Sequence, residues 1–133
     1  MEDWEQRIHS VLGDDSGRSG ETALRYLAYL RPVLKFPLRV TGREDFPWEE
    51  PYVFGGWSKS EYAMLKKTHP SYTDIFDLIE LLPPEEHEDV TAKIRRLSDK
   101  RTFTLGLSWL TAGKEDTPEF QILDDYATWH ANY

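Results

Sequence analysis

Apolar residues return every three or four positions at the start of the chain. Trp4, Ile8, Val11 and Leu12 fall on one helical face, so residues 3 to 12 are predicted to form a short amphipathic helix ended by Gly13. A polar, glycine-punctuated loop follows from Asp14 to Gly20. Helical spacing then resumes at Ala23, Leu24, Leu27 and Leu30 and predicts a second helix from Glu21 to Arg31, closed by Pro32, whose ring disfavours helical geometry in the residue before it. Two such helices can cover one side of a core.

From Leu34 the period shortens to two. Lys35-Phe36-Pro37-Leu38-Arg39-Val40 alternates apolar and polar, and Tyr52-Val53-Phe54 and Glu61 to Leu65 continue the pattern, so all three read as strands. Gly55-Gly56 and His69-Pro70-Ser71 supply turns, and Tyr72 to Leu82 supplies a further strand or two. After Pro83-Pro84, Val90, Ile94 and Leu97 share one helical face between Glu85 and Lys100, with acids early and basic residues late, the order that suits a helix dipole. Glu85, Glu86, Glu88 and Asp89 are thereby explained as helix-stabilising charges. Thr102 to Leu110 reads as a strand closed by Ala112-Gly113-Lys114. Thr117-Pro118 is a helix start, with a capping hydroxyl followed by proline at the first helical position, and the last helix runs through Gln121 to Trp129. The outcome is one α+β domain spanning residues 1–133, built on a small antiparallel sheet or barrel.

Composition narrows the chemistry. A chain of 133 residues can bury a core without staples, and the lack of cysteine excludes disulfides, thiolate nucleophiles, cysteine-rich zinc sites and iron–sulfur clusters. Met1-Glu2-Asp3-Trp4-Glu5 lacks the basic and apolar regions of a signal peptide, and no apolar run reaches membrane-spanning length, so a soluble, cytoplasmic monomer with no membrane partner is expected. The formal net charge of −8 argues against nucleic acid, despite basic clusters at Lys93 to Arg96 and Lys100-Arg101, and suits a cation or a basic protein partner.

The segment from Arg43 to Tyr52 concentrates that charge. Glu44, Asp45, Glu49 and Glu50 sit there among Phe46, Trp48 and Tyr52, with Pro47 and Pro51 stiffening the backbone. Hard cations such as Ca²⁺ need several carboxylate and carbonyl oxygens at one point, and a stiff loop loses less entropy in gathering them. The competing reading is a solvated acidic loop. An EF-hand is ruled out: the loop starting at Asp15 places Gly20 correctly at the sixth position but Gly17 at the third and Tyr26 at the twelfth, where ligands belong. Enzyme motifs are absent. Gly106-Leu107-Ser108-Trp109-Leu110 lacks the second glycine of a nucleophile elbow, and His9, His69, His87 and His130 show no zinc spacing. Asp74 and Glu80 share one face of an extended strand and Asp77 the other, where it caps a turn or ligates a metal. In the last helix Asp124 points away from the apolar face of Ile122, Tyr126 and Trp129, whereas Asp125 lies at its edge.

Tyr26-Leu27-Ala28-Tyr29-Leu30 followed by Leu34-Lys35-Phe36-Pro37, the strand region through Phe76-Asp77-Leu78, and the ending Gln121 to Tyr133 with its Asp125-Tyr126-Ala127-Thr128-Trp129 resemble, in the same order, the CcbP-type calcium-binding protein family of cyanobacteria. Trp57 to Thr73 follows that family's barrel region loosely, and the Pro83 to Lys100 helix is insertion-like. The resemblance implies a non-EF-hand, acidic α+β protein that binds Ca²⁺ to buffer or sense it. With the residue pattern it points to an SH3-like barrel or small sheet packed by N-terminal and C-terminal helices. The candidate ligands, taken from this chain's own oxygens, are Glu49 and Glu50, then Glu44, Asp45, Asp77 and Asp125. A metal-independent interaction module, whose acidic and aromatic surface recognises a basic partner, is the alternative, and a hydrolase using two close carboxylates is a third.

Overall fold

The computed structural model describes residues 3–133. Met1 and Glu2, on which the expectation of a leaderless N-terminus partly rests, lie outside the described residues. The chain opens with α1 (Trp4–Leu12), whose cap Asp3 accepts from the Gln6 N–H at 2.9 Å, and α2 (Gly20–Val33), capped by Ser19. Pro32 lies inside α2, one residue from its end; there it removes a single backbone bond, and the Leu34 N–H still reaches the Leu30 carbonyl at 3.0 Å.

Next come β1 (Leu38–Gly42), α3 (Glu50–Phe54), α4 (Lys59–Leu65), β2 (Ile75–Leu82), β3 (Thr91–Arg96) and β4 (Thr102–Gly106). A 3₁₀ turn at Leu107–Trp109 leads into β5 (Leu110–Ala112), and α5 (Pro118–Asn132) closes the chain. All strand pairs are antiparallel, in the order β4-β3-β2-β1-β5. The edge strands β4 and β5 are not paired, so the sheet does not close into a barrel, yet it is strongly curled. Five flat strands would place the edges about 19 Å apart at roughly 4.8 Å per step. Four peptide steps from Gly106 to Leu110 reach at most ~14 Å.

A β-bulge sets which residues enter the core. Leu78 pairs with Ile94 and Glu80 with Lys93, leaving Ile79 as the extra residue, so alternation passes from buried Phe76 and Leu78 to buried Leu81. Asp77 and Glu80 therefore share the outer face, opposite Arg95 and Lys93, contrary to the strict alternation expected from sequence. On the inner side α2 and α5 pack Tyr26, Leu27, Leu30, Leu123, Tyr126 and Trp129 against the sheet.

Four expected elements differ. Tyr52-Val53-Phe54 belongs to α3 and Glu61 to Leu65 to α4. Pro51 starts the first of these helices and the Ser58 hydroxyl accepts from the Glu61 N–H at 3.2 Å to start the second, and these local signals override β propensity. Residues 85–100 are not a helix: a loop leads into β3. Val90 and Ile94, four apart, share a face in a strand as well as in a helix, while Ala92, Ile94 and Arg96 alternate buried with the partly exposed Lys93 and Arg95. Finally, the predicted strand from Thr102 to Leu110 divides at the 3₁₀ turn into two strands at opposite sheet edges.

Candidate functional site

The acidic segment enters the molecule at Glu49, which is 0% exposed. Its Oε1 accepts from the backbone N–H of Tyr72 at 2.7 Å and of Phe46 at 3.4 Å; its Oε2 accepts from the hydroxyls of Tyr62 at 2.5 Å and Ser71 at 2.7 Å. Four donors saturate the carboxylate and leave no lone pair for an incoming cation. Burial and the Glu49 bond together push the Tyr62 phenol up to about 12. Glu44 and Glu50 are exposed and Asp45 partly so; none of the three makes a side-chain hydrogen bond or ion pair among the described residues.

Arg96 does the opposite work from the sheet. Its guanidinium, buried at the end of β3, donates to the carbonyls of Lys66, Lys67 and His69 at 2.8–3.0 Å and to the carboxylates of Asp74 and Asp99. The residues after α4 thus find partners for their carbonyls in one planar side chain. That bond holds the Asp99 carboxyl down at about 2.

Asp77 and Asp125 are each matched to an arginine. Arg39 Nε donates to Asp77 at 3.1 Å across the β1–β2 pair, and Arg7 donates to both Asp125 oxygens at 2.7 and 3.0 Å, joining α1 to α5. The sequence-derived ligands are therefore not gathered. Glu49 anchors a loop, Asp77 and Asp125 are neutralised in different places, and Glu44, Asp45 and Glu50 stay at the surface.

Sequence reasoning missed a second acidic feature by assigning it to a helix. In the loop before β3, Asp89 is buried; its Oδ1 accepts from the Tyr126 hydroxyl at 2.7 Å and its Oδ2 from the Ser108 hydroxyl at 2.6 Å. Gly106 lies alongside, and a Cβ there would run into Asp89 Oδ2. His87 and Glu88 both have positive φ, 54° and 49°, a strained pair for non-glycine residues. His130 Nε2 at 2.7 Å from the His87 carbonyl and the 3.7 Å Arg18–Glu88 ion pair hold them. Beside this loop a depression of about 260 Å³ is lined by Glu85, Glu86, Asp89, Thr91 and Thr104 among others. Sequence offered no decisive signal here, since Pro83-Pro84 suits the start of a helix as well as a loop.

All these oxygens are hard donors of the kind Ca²⁺ takes. Among the described residues, however, no three His, Asp or Glu side chains form a group that could hold a metal ion as they stand. The residues do not compose a preassembled cage. Nor is any helix among the described residues long and apolar enough to cross a membrane.

The chain matches no protein-family model and no curated protein sequence. Two solved structures share its fold. Anabaena CcbP superposes with a TM-score of 0.60 over 98% of this chain and 93% of that one at 18% identity. A structure described as a calcium binding protein in the calcium-binding form gives 0.61 over 96% and 89%, also at 18% identity. The fold-level resemblance to CcbP thus extends from α1 to α5.

Proposed function

We propose that the chain binds Ca²⁺ without an EF-hand, as a buffer or sensor, and performs no catalysis. The observation that carries this is a fold shared over nearly the whole chain with a protein described in its calcium-binding form. Two features support it. The formal charge of −8 is an electrostatic reason to attract a divalent cation, and Ser108, the residue nearest to a nucleophile motif, has its hydroxyl committed to Asp89.

The donors are the exposed carboxylates left unpaired by the fold. Glu85 and Glu86, beside the anchored Asp89 and the Thr91 and Thr104 hydroxyls, form one set; Glu44, Asp45 and Glu50 form the other. Glu49, Asp77 and Asp125 are better suited to structural roles, because each is already neutralised or saturated. Side chains must swing inward and water must complete the coordination shell, so affinity falls below that of a rigid loop with ligands in place.

The test is a Ca²⁺ titration of metal-free protein followed by calorimetry and by amide NMR. Heat of binding with shifts concentrated at residues 85–91 and 104–106, reduced in Glu85→Gln/Glu86→Gln, supports the first donor set. Shifts confined to residues 43–50, reduced in Glu44→Gln/Glu50→Gln, transfer the site to the second. Absence of both heat and shift at millimolar Ca²⁺ ends the proposal.

A further inference from the structure

The excursion between β1 and β2 carries surface that the fold does not use. Neither α3 nor α4 contains a buried residue, and Phe54, Trp57 and Met64 are 75%, 58% and 69% exposed. Scattered apolar residues need no explanation, but a continuous row does. Here the rings are continuous. Trp57 meets Tyr52 edge-on with centroids 5.6 Å apart, Tyr52 stacks on Tyr62 at 5.4 Å and 8°, and Tyr62 lies 5.7 Å from Trp48.

Its attachments lie at the base. Glu49 ties the entrance to Ser71 and Tyr72, and Arg96 ties the exit to the sheet. The outer side chains from Phe54 to Met64 are free of core duty. Charge on this outer part, beyond the acids Glu44, Asp45, Glu49 and Glu50 at the entrance, also runs against the rest of the molecule. From Phe54 to Lys67 there are three lysines, Lys59, Lys66 and Lys67, against one acid, Glu61, in a chain of formal net charge −8. Glu61 is engaged by the Tyr52 hydroxyl at 3.1 Å, and the Lys66 ammonium stands 5.0 Å from the Tyr62 ring centre.

We infer that this lysine-flanked aromatic excursion is a docking surface for an acidic amphipathic segment of a partner protein. The partner's apolar side chains lie on the Trp57–Tyr52–Tyr62 row, and its carboxylates meet Lys59, Lys66 and Lys67, complementary charge fixing orientation and speeding encounter. The basic partner suggested by overall composition fits this surface poorly. An anionic bilayer offers the same charge, but helices of 5 and 7 residues are too short to lay an interfacial face.

The inference goes beyond calcium binding and is tested without it. Isotope-labelled protein in chelator is titrated with two synthetic helical peptides that share one leucine face and carry glutamate or lysine at every polar position. The glutamate peptide should shift resonances of residues 52–67 and lose affinity as salt rises. It should weaken about tenfold with Lys66→Glu/Lys67→Glu and similarly with Trp57→Ser, whose unfolding midpoints should stay near wild type because Trp57 and Lys67 are exposed and Lys66 is only partly buried. Equal or tighter binding of the lysine peptide, no binding of either, shifts elsewhere on the molecule, or preferential capture by phosphatidylserine vesicles would each overturn it.

Discussion

Glu49 owes its burial to partners drawn from three separate places in the chain. Phe46 is a local donor, whereas Tyr62 comes from α4 and Ser71 and Tyr72 from the segment between α4 and β2. Removing the carboxylate strands two hydroxyls and two backbone N–H groups. Glu49→Ala is therefore expected to lower unfolding free energy by about 3–5 kcal/mol, and Glu49→Gln, which keeps one acceptor oxygen, by about 1–3 kcal/mol, read from urea melts. Asp99 shows the opposite environment. It is exposed to solvent, and its carboxyl is held at about 2 from an ordinary 3.8, chiefly by the Arg96 bond. A depressed acid contributes stability that is present above 3.8 and lost as pH falls through about 2. Asp99→Asn should thus remove part of the acid-induced loss in that window while leaving the profile at neutral pH flat. Equal slopes for wild type and variant between those values would refute the assignment.

At the scale of elements, the excursion stands or falls with Arg96. A lysine there keeps the charge but cannot serve three carbonyls and two carboxylates from one plane. Arg96→Lys should destabilise the protein by about 2–4 kcal/mol and speed amide exchange selectively across residues 59–69. Uniformly faster exchange would show that Arg96 supports the sheet rather than α4. The same region marks where sequence stops being informative. The terminal helices α1, α2 and α5 could be read directly, because long runs at helical spacing meet hydroxyl or carboxylate caps. The excursion and β3 could not. Five to seven residues rich in tyrosine and valine favour strand until Pro51 and the Ser58 cap are weighed, and Val90 and Ile94 satisfy both periods. For the candidate site, the odd placement of Glu49 among aromatics was visible. Its role was not, since its decisive donor Tyr72 lies 23 residues away. Asp77 and Asp125 likewise acquired arginine partners 38 and 118 residues distant.

For the whole molecule, the excess of acid is a standing cost. Like charges repel in the compact state, and the arginines paired with Asp77, Asp125, Asp124 and Glu88 offset only part of it. Monovalent salt should then raise Tm modestly by screening, with no regard to which cation is used. Calcium should do more at equal ionic strength, because binding to the folded state adds RT ln(1 + [L]/Kd), about 2.7 kcal/mol at a hundredfold excess over Kd. For a domain of 133 residues that corresponds to a rise of roughly 10 °C. Mg²⁺, which dehydrates reluctantly and demands a tight octahedron, should fall between the two, since carboxylates that must swing into place cannot supply one. Melting curves in NaCl, MgCl₂ and CaCl₂ at matched ionic strength separate these terms. If all three coincide, the acids act only as diffuse charge and calcium binding is refuted; if calcium alone departs and Glu85→Gln/Glu86→Gln abolishes the difference, the donors beside Asp89 are the site.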